Sequence, residues 1–377
     1  MSIDLSQYDV NDDASMMQAA LDLAAQGRAT TQPNPMVGCV IVKDGQIVGS
    51  GYHHQAGQLH AERMALADAG ESARGGTAYV NLEPCCHQGR TPPCTDGLID
   101  AGIVKVVSAL SDPNPLVGGG GYELLRNAGI EVVANVLDAP ARWLNRGFVS
   151  RMQRQRPWVV LKTAATLDGR TAAFDGKSKW ISCDAARQKV QQLRSEHSAI
   201  LTGIGTVLAD DPELNVRLDN SVRQPFRVVL DANLRCPLHA KIIGADSKCI
   251  IFTLSEDEDK CAALIEAGAE VIQLEADLQG RLELSSVLRE LARWQCNEVM
   301  LEAGQTLAGS FVASGLVDEL ALFYAGSVLG EQARSMFQFD APLEFSQRPE
   351  YRINSVQMID VDIFVNAINT ISEEALS

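Results

Sequence analysis

The chain has 377 residues, 46% of them hydrophobic and 21% charged, with a formal net charge of −16 and a pI of about 4.8. That length suits two or three domains, and the composition is that of a globular chain rather than a disordered one. The acidic balance argues against a nucleic-acid partner, which needs clustered Lys and Arg, but allows a small phosphorylated ligand held by a few local cations.

The start, MSIDLSQYDVNDD, has no positive stretch followed by an apolar one, so no signal peptide is expected. No apolar run reaches the ~18–20 residues of a membrane span. Nine cysteines without a repeating spacing do not read as a disulfide framework. Cys39 in VGCVIV and Cys249 in KCII lie in apolar runs and read as buried thiols. A reducing cytoplasm is the expected compartment.

In chain order, residues 12–27 predict a helix capped by Asp13 or Ser15, with Met16, Ala19, Ala20 and Leu23 on one face and Gly27 at its end. A turn-rich loop, TTQPNPMVG, follows. Residues 36–42 read as a buried strand, Lys43-Asp44-Gly45 as a hairpin and 46–52 as the returning strand. His60 opens a second helix. Residues 77–83 form a strand that delivers Pro84-Cys85, and TDGLIDAG a helix whose N-terminus holds Cys94. A strand (104–110), a helix (122–129) and a strand (131–137) finish this half. Strands alternating with helices predict a layered α/β sheet with helices on both faces. Gly118 to Gly121 reads as a flexible turn, and lacks the G-K-[ST] ending of a phosphate-binding loop. His53 and His54 read as residues of a solvated loop.

The stretch from His60 to Cys94 carries chemistry. It reads H-A-E at His60-Ala61-Glu62, then PCCHQGRTPPC from Pro84 to Cys94. One imidazole and two thiols suit Zn²⁺, and three protein ligands leave the fourth position open, as a catalytic site requires. Such a site acidifies water to a pKa of ~7, and Glu62 is the natural proton carrier beside it. The first half of the zinc-deaminase pattern H-x-E…P-C-x-x-C is present. The second is not, because Gln88 stands three residues past Cys85 and the next plausible ligand is Cys94. Cys86 and His87 compete as ligands. The helix N-termini at His60 and Cys94 favour thiolate and neutral imidazole.

HAE, PCCHQGRTPPC and the PNPMVG loop together resemble the deaminase domain of the bifunctional riboflavin-biosynthesis family RibD. The resemblance accounts for the long loop between the two cysteines. It implies a cytidine-deaminase-like, three-layer α/β/α domain over 1–150, one zinc per chain on His60, Cys85 and Cys94, and Glu62 as general acid/base. Asn34 and His87 would touch substrate, with Arg90 near its mouth. The family more often has Ser where this chain has Cys86; an extra thiol there would be prone to oxidation.

From 142 to 158 the composition turns Arg-rich, which marks a linker. Beyond it a strand (158–172) turns at Asp168-Gly169, a helix covers 181–197, and 199–212 is a strand, a glycine turn and a short segment. Strands at 226–231 and 249–254 lead to alternating helices and strands through 330, then one or two terminal strands over 351–368. A dinucleotide fingerprint G-x-G-x-x-G after a first strand is absent, and Gly203-Ile204-Gly205 alone is weak. The better phosphate site is MLEAGQTLAGSF (300–311), where Gly304 ends a strand, Thr306 can cap and a helix begins at once.

LKTAATLDGRTA, SKWI (178–181), TVLADDPELNVR (206–217) and the EAGQTLAG run are similar to the reductase domain of the same family. That implies a dihydrofolate-reductase-like α/β domain over 151–377 that uses NADPH. The cofactor would lie against Ala164, Trp180, Thr206, Asp210 and the run Gly304, Gln305, Thr306, Leu307, Ala308, Gly309 and Ser310. Lys162, Ser178, Arg194, Leu214, Arg217 and Glu302 would face substrate. Arg194 and Arg217 suit a sugar phosphate, unless a carboxylate takes them into a salt bridge.

The function implied is zinc-dependent deamination of 2,5-diamino-6-ribosylamino-4(3H)-pyrimidinone 5′-phosphate, then NADPH-dependent reduction to 5-amino-6-(5-phosphoribitylamino)uracil. The expected enzyme is a cytoplasmic homo-oligomer, dimer or tetramer, with no nucleic-acid or membrane partner. Two other functions remain: a base-editing deaminase acting on RNA, which the acidic charge disfavours, and a deaminase whose second half only binds ligand or holds a dimer.

Overall fold

A computed structural model describes residues 3–87, 92–114, 118–219, 223–244 and 247–376. The chain divides into two compact units, residues 1–155 and 156–375.

The first unit runs α1 (Asp13–Ala25), β1 (Gly38–Lys43), β2 (Gln46–Tyr52), α2 (Ala61–Ala69), β3 (Thr77–Leu82), α3 (Cys94–Asp100), β4 (Lys105–Leu110), α4 (Gly120–Asn127), β5 (Glu131–Val133), α5 (Asp138–Leu144) and α6 (Arg146–Arg154). Among the described residues its strands form one sheet in the order β2-β1-β3-β4-β5. The β1 strand is antiparallel to both neighbours, while β3, β4 and β5 are parallel. Alternate strand residues point to opposite faces. Cys39, Ile41, Val80 and Val106 pack with Ala61 and Ala65 of α2, Leu98 of α3 and Leu125 of α4. On the other face, α1 lies against β1 and β3 and buries Met16, Ala20 and Leu23. The unit is therefore a three-layer α/β/α domain. Asp12 caps α1 by accepting the Ala14 and Ser15 amides, one residue before the expected cap.

The expected boundary at 150/151 would cut through α6, and the units divide at 155/156 instead. The Arg-rich stretch read as a linker is largely helical. Buried Asn145, between α5 and α6, accepts the Met36 amide (2.8 Å) and donates to the Met36 carbonyl (2.9 Å). These residues hold the PNPMVG loop in place, so they belong to the first unit.

The second unit continues with β6 (Trp158–Thr166), β7 (Arg170–Ala172), α7 (Asp184–Glu196), β8 (Ala199–Gly203), α8 (Ile204–Asp210), β9 (Phe226–Leu230), β10 (Cys249–Thr253), α9 (Glu258–Glu266), β11 (Ala269–Gln273), α10 (Leu284–Arg293), β12 (Glu298–Leu301), α11 (Gln305–Ala313), β13 (Glu319–Ala325), β14 (Arg334–Ser335), β15 (Tyr351–Ile359), β16 (Asp362–Asn369) and α12 (Thr370–Glu374). Among the described residues, nine strands form one sheet, ordered β11-β10-β9-β8-β12-β6-β13-β16-β15. It is parallel from β11 to β13, and β16 and β15 add antiparallel. The inner parallel strands β8, β9, β10 and β12 are buried on both faces, as such sheets require. Leu201, Val228, Ile250 and Phe252 face Leu288 and Leu291 of α10 and Phe311 of α11. Ile200, Val229 and Ile251 face Val207 of α8 and Leu264 of α9. The short segment expected after β8 is the helix α8. Among the described residues, no helix is long and apolar enough to cross a membrane.

Candidate active sites

In the first unit the metal-ligand candidates converge from three places. His60 immediately precedes α2, Cys85 follows the end of β3, and Cys94 is the first residue of α3. His60 Nδ1 lies 3.6 Å from Cys85 Sγ and 3.3 Å from Cys94 Sγ. All three donor atoms lie within 4.8 Å of one another. Tetrahedral bonds of ~2.3 Å to sulfur and ~2.05 Å to nitrogen put the donors about 3.6 Å apart, so the set fits zinc. The Cys94 amide donates to Cys85 Sγ at 3.4 Å. Hydrogen bonding from Cys94, with help from His60, pulls Cys85 down to about 4, while the same contact and burial push Cys94 up.

Glu62 is 4% exposed, and burial followed by the nearby Cys85 charge raises its carboxyl. A raised acid at a ligand cluster is the form a proton shuttle takes. Cys86 points elsewhere: a side chain added at Gly120 would meet its Sγ at 3.0 Å, at the start of α4. His87 is exposed and outside the ligand cluster, though its charge acts on Asp112, whose carboxyl burial raises to about 6. Arg90 lies outside the described residues.

His53 corrects an expectation. Instead of sitting in a solvated loop it is 3% exposed, with Nδ1 3.0 Å from the Leu59 carbonyl and Nε2 3.0 Å from Asn34 Nδ2. The carbonyl can only accept, so Nδ1 carries the proton and Nε2 accepts from the Asn34 amide. Burial keeps the ring neutral by lowering its pKa. The ring also meets His60 edge-on, with centroids 5.4 Å apart. The signal in the sequence, a histidine two residues after a glycine in a strand, was too weak to separate burial from exposure.

The glycine run has an occupant from within the chain. Glu83, 3% exposed, accepts the amides of Asp112 (3.1 Å), Gly119 (2.9 Å), Gly121 (2.9 Å) and Tyr122 (3.2 Å). Its carboxylate takes the place at the start of α4 where a phosphate would otherwise sit. A Cβ at Gly121 would come within 2.1 Å of the Pro84 carbonyl, so the run lets α4 approach the backbone that carries Cys85.

The second unit contains a cleft of about 1770 Å³. Ala164, Trp180, Thr206, Asp210, Gly304 to Leu307 and Ser310 line it, as do Lys162, Ser178, Arg194, Leu214, Arg217 and Glu302. Two residues of the expected set do not reach it. Ala308 is 1% exposed within the core, and a Cβ at Gly309 would come within 2.0 Å of the Gln338 carbonyl. Helical periodicity turns these two positions inward while Gln305, Thr306 and Ser310 face out.

Glu302 anchors the cleft floor. It accepts from Arg194 Nε (2.7 Å) and Nη2 (3.1 Å) and pairs with Lys162 Nζ at 2.8 Å. Burial would raise this carboxyl, but the Arg194 and Lys162 charges hold it well below its ordinary value. Arg194 also donates to the Asn215 carbonyl at 3.1 Å, so of the two roles open to it the salt bridge is the one formed. Arg217 is exposed, 3.6 Å from Glu213. Gly304, rather than Thr306, holds the N-cap position of α11, and no side chain caps that helix. Thr306 instead contacts Gln338 Oε1 at 3.3 Å. The first amides of α11 thus open toward the cleft, together with Gly203 and Gly205 at the start of α8. Trp180 is 71% exposed and carries the Arg187 guanidinium 4.6 Å above its ring.

The sequence passed over Arg187 and Arg235 as cleft residues, and it rated Gly203-Ile204-Gly205 as weak although this G-x-G closes a strand just before the helical run TVLAD and lines the cleft.

The family model described as cytidine and deoxycytidylate deaminase zinc-binding region matches residues 10–110, and that described as RibD C-terminal domain matches residues 157–365. The chain is 45% identical over 363 residues to the riboflavin biosynthesis protein RibD of Haemophilus influenzae, covering 93% of this chain and 96% of that one. It is 42% identical over 369 residues to RibD of Escherichia coli, covering 94% and 99%. Among solved structures, form 1 of Acinetobacter baumannii RibD aligns with a TM-score of 0.88 at 44% identity, over 96% of this chain and all (100%) of that one. A Thermotoga maritima protein described as a diaminohydroxyphosphoribosylaminopyrimidine deaminase/5-amino-6-(5-phosphoribosylamino)uracil reductase aligns with a TM-score of 0.83 at 36% identity, over 95% and 98%. On the site geometry and on likeness along nearly its whole length, the chain belongs to the RibD family of riboflavin biosynthesis proteins.

Proposed function

We propose that this chain is a bifunctional enzyme acting twice on one metabolite. The first unit hydrolyses an exocyclic amine from 2,5-diamino-6-ribosylamino-4(3H)-pyrimidinone 5′-phosphate, releasing ammonia. The second reduces the ribosyl group to a ribityl chain, giving 5-amino-6-(5-phosphoribitylamino)uracil. The observation that carries the reading is the cluster of His60, Cys85 and Cys94 with buried Glu62 beside it.

When bound, zinc lowers the pKa of water to ~7 and so makes hydroxide available at neutral pH, and NADPH supplies a hydride to the ribosyl C1′. Glu62 takes the proton of the attacking water and returns protons to a ring nitrogen and to the departing amine. Asn34, held by His53, meets the pyrimidine, and His87 lies at the mouth. In the second unit the open amides of α11 would hold the cofactor pyrophosphate, and Ala164, Trp180, Thr206 and Asp210 would flank the cofactor. Opening the sugar breaks the C1′–O4′ bond, and the Lys162 ammonium, oriented by Glu302, is placed to protonate the departing oxygen. Ser178, Leu214 and Arg217 complete the substrate side, with Arg217 the cation for its phosphate.

Nine cysteines without a disulfide-framework spacing support a reducing cytoplasm. The β15 strand edges the large sheet and exposes Ile353, Val356 and Met358, each at least 60% accessible, which supports a homo-oligomer.

A chelator tests the division of labour. Stripping zinc should stop ammonia release from the diaminopyrimidinone while oxidation of NADPH on the deaminated product continues. If both rates fell together, or if the deaminated product drew no NADPH oxidation at all, the assignment of two chemistries to two units would be wrong.

A further inference from the structure

Glu83 stands just past the end of β3 and two residues before Cys85. A carboxylate offers about four lone-pair positions, and four backbone amides fill those of Glu83. Oε2 accepts from Asp112 and Gly119, and Oε1 from Gly121 and Tyr122. The donors come from two places, the chain leaving β4 and the start of α4. A buried charge is costly unless it is compensated. Here the helix start and the charge-assisted hydrogen bonds take the place of a cation. No position is left for a metal or a substrate atom, so Glu83 acts through the groups it holds.

Those groups flank the ligand cluster. Burial is the main cause of the raised Asp112 carboxyl, and the charges of His87 and Cys85 also act on it, which puts Asp112 beside the site. A Cβ at Gly120 would come within 3.0 Å of Cys86 Sγ, so α4 begins in contact with the segment that carries Cys85. Cys85 has anchors of its own: its carbonyl accepts the Thr95 amide (3.2 Å), and its Sγ accepts the Cys94 amide. The turn from Asp112 to Asn114 closes on itself, with Asp112 Oδ1 accepting the Asn114 amide (2.9 Å), and Glu83 ties it back to the strand that leads to Cys85. The helix α4 has a second tie in the Tyr122 hydroxyl, which meets Ser108 Oγ (2.9 Å) and the Leu110 carbonyl (3.2 Å).

We propose that Glu83 is a positioning residue of the deaminase site, which clamps Asp112 and the start of α4 to the end of β3 and so holds the substrate-facing wall in place against the metal ligands. The inference rests on the reading of the first unit as a zinc-dependent deaminase. Glutamine has nearly the same shape, but its amide can accept at one end only. Whichever way it turns, its NH₂ group faces two of the four backbone donors, which lose their partner. The ligand cluster keeps its own hydrogen bonds, so the damage falls on substrate rather than on zinc.

The test is steady-state ammonia release from the diaminopyrimidinone by the full-length, zinc-loaded Glu83→Gln protein, with zinc counted per chain and NADPH oxidation on the deaminated product as a control on the second unit. Zinc content should stay at the wild-type value. The ratio kcat/KM should fall by about 10- to 100-fold, the range of a ~1 Å misplacement, with most of the loss in KM. Glu83→Asp, which keeps the charge but draws it back by one methylene, should show the same split to a smaller extent. Tyr122→Phe, which loosens α4 without touching the carboxylate, should lower the thermal unfolding temperature and leave KM unchanged. An unchanged KM in Glu83→Gln, an equal rise of KM in Tyr122→Phe, or loss of zinc from Glu83→Gln overturns the role of Glu83 alone. A wild type that releases no ammonia overturns the deaminase reading and this inference with it.

Discussion

Glu62→Gln should lose ammonia release by about 10³-fold or more, near the upper range for a positioned acid–base group, while zinc content per chain stays at the wild-type value. The reason is geometric. Glu62 follows His60 by two residues, inside the first turn of α2, so its carboxyl is carried to the ligand cluster by the same helix start that positions the imidazole. It is buried, and burial together with the Cys85 charge raises its pKa, which eases the return of a proton to the leaving amine. Glutamine keeps the shape and cannot accept the proton. Oxidation of NADPH on the deaminated product should be unaffected, because Glu62 is not among the residues that line the second unit's cleft. Ammonia release at the wild-type rate, with zinc bound, would remove Glu62 from the mechanism.

The second large effect is expected from Glu302→Gln. The carboxylate holds two cations in a buried place, and removing one partner of a buried ionic set costs about 3–5 kcal/mol. Arg194 and Lys162 would be left facing each other across a neutral amide. Thermal unfolding of the second unit should move down clearly. Its NADPH oxidation should fall by about 10²-fold or more, because Lys162 loses the group that orients it. The same site sets an acid limit. The carboxyl of Glu302 sits below its ordinary value of 4.5 in the folded chain. Its contribution to stability is therefore full above pH 4.5 and is lost as pH falls from there through the lowered folded value. The wild type should lose stability below pH 4.5 more steeply than Glu302→Gln, which has already lost that term. Parallel acid melting curves would contradict this.

Much of the architecture was written in period and punctuation. The hairpin of β1 and β2, the strand that delivers Cys85 and the helix starts at His60 and Cys94 all follow from alternation, a K-D-G turn and short-range spacing. The ligand set was legible because its three residues fall at element ends, where a backbone direction is already set. What escaped had long-range causes. The helices α5 and α6 were hidden because their arginines look solvent-bound, and it takes Asn145 reaching Met36, more than a hundred residues earlier in the chain, to show them as part of the first unit. His53 looked like loop until the Leu59 carbonyl and Asn34 closed around it. Gly118 to Gly121 read as a flexible turn, with a phosphate site as the weaker reading, because the sequence does not reveal that Glu83 fills the amides. Ala308 and Gly309 were carried along with their neighbours in a continuous run, whereas the helix turns that pair toward the core. Arg194 could equally have met a phosphate or a carboxylate. Only the fold, which brings the end of α7 to the residue just past β12, lets Glu302 reach it.

The central claim is that one chain carries out a hydrolysis and a reduction on the same molecule. The most direct measurement is to give the purified, zinc-loaded protein the diaminopyrimidinone ribosylamino phosphate and follow ammonia and NADPH together. Without NADPH, ammonia should appear and the deaminated ribosylamino compound should accumulate. With NADPH, one reduced cofactor should be consumed for each ammonia released, and the ribityl product should replace the intermediate. Ammonia released with no NADPH consumed, or NADPH consumed with no ammonia released, would contradict the account.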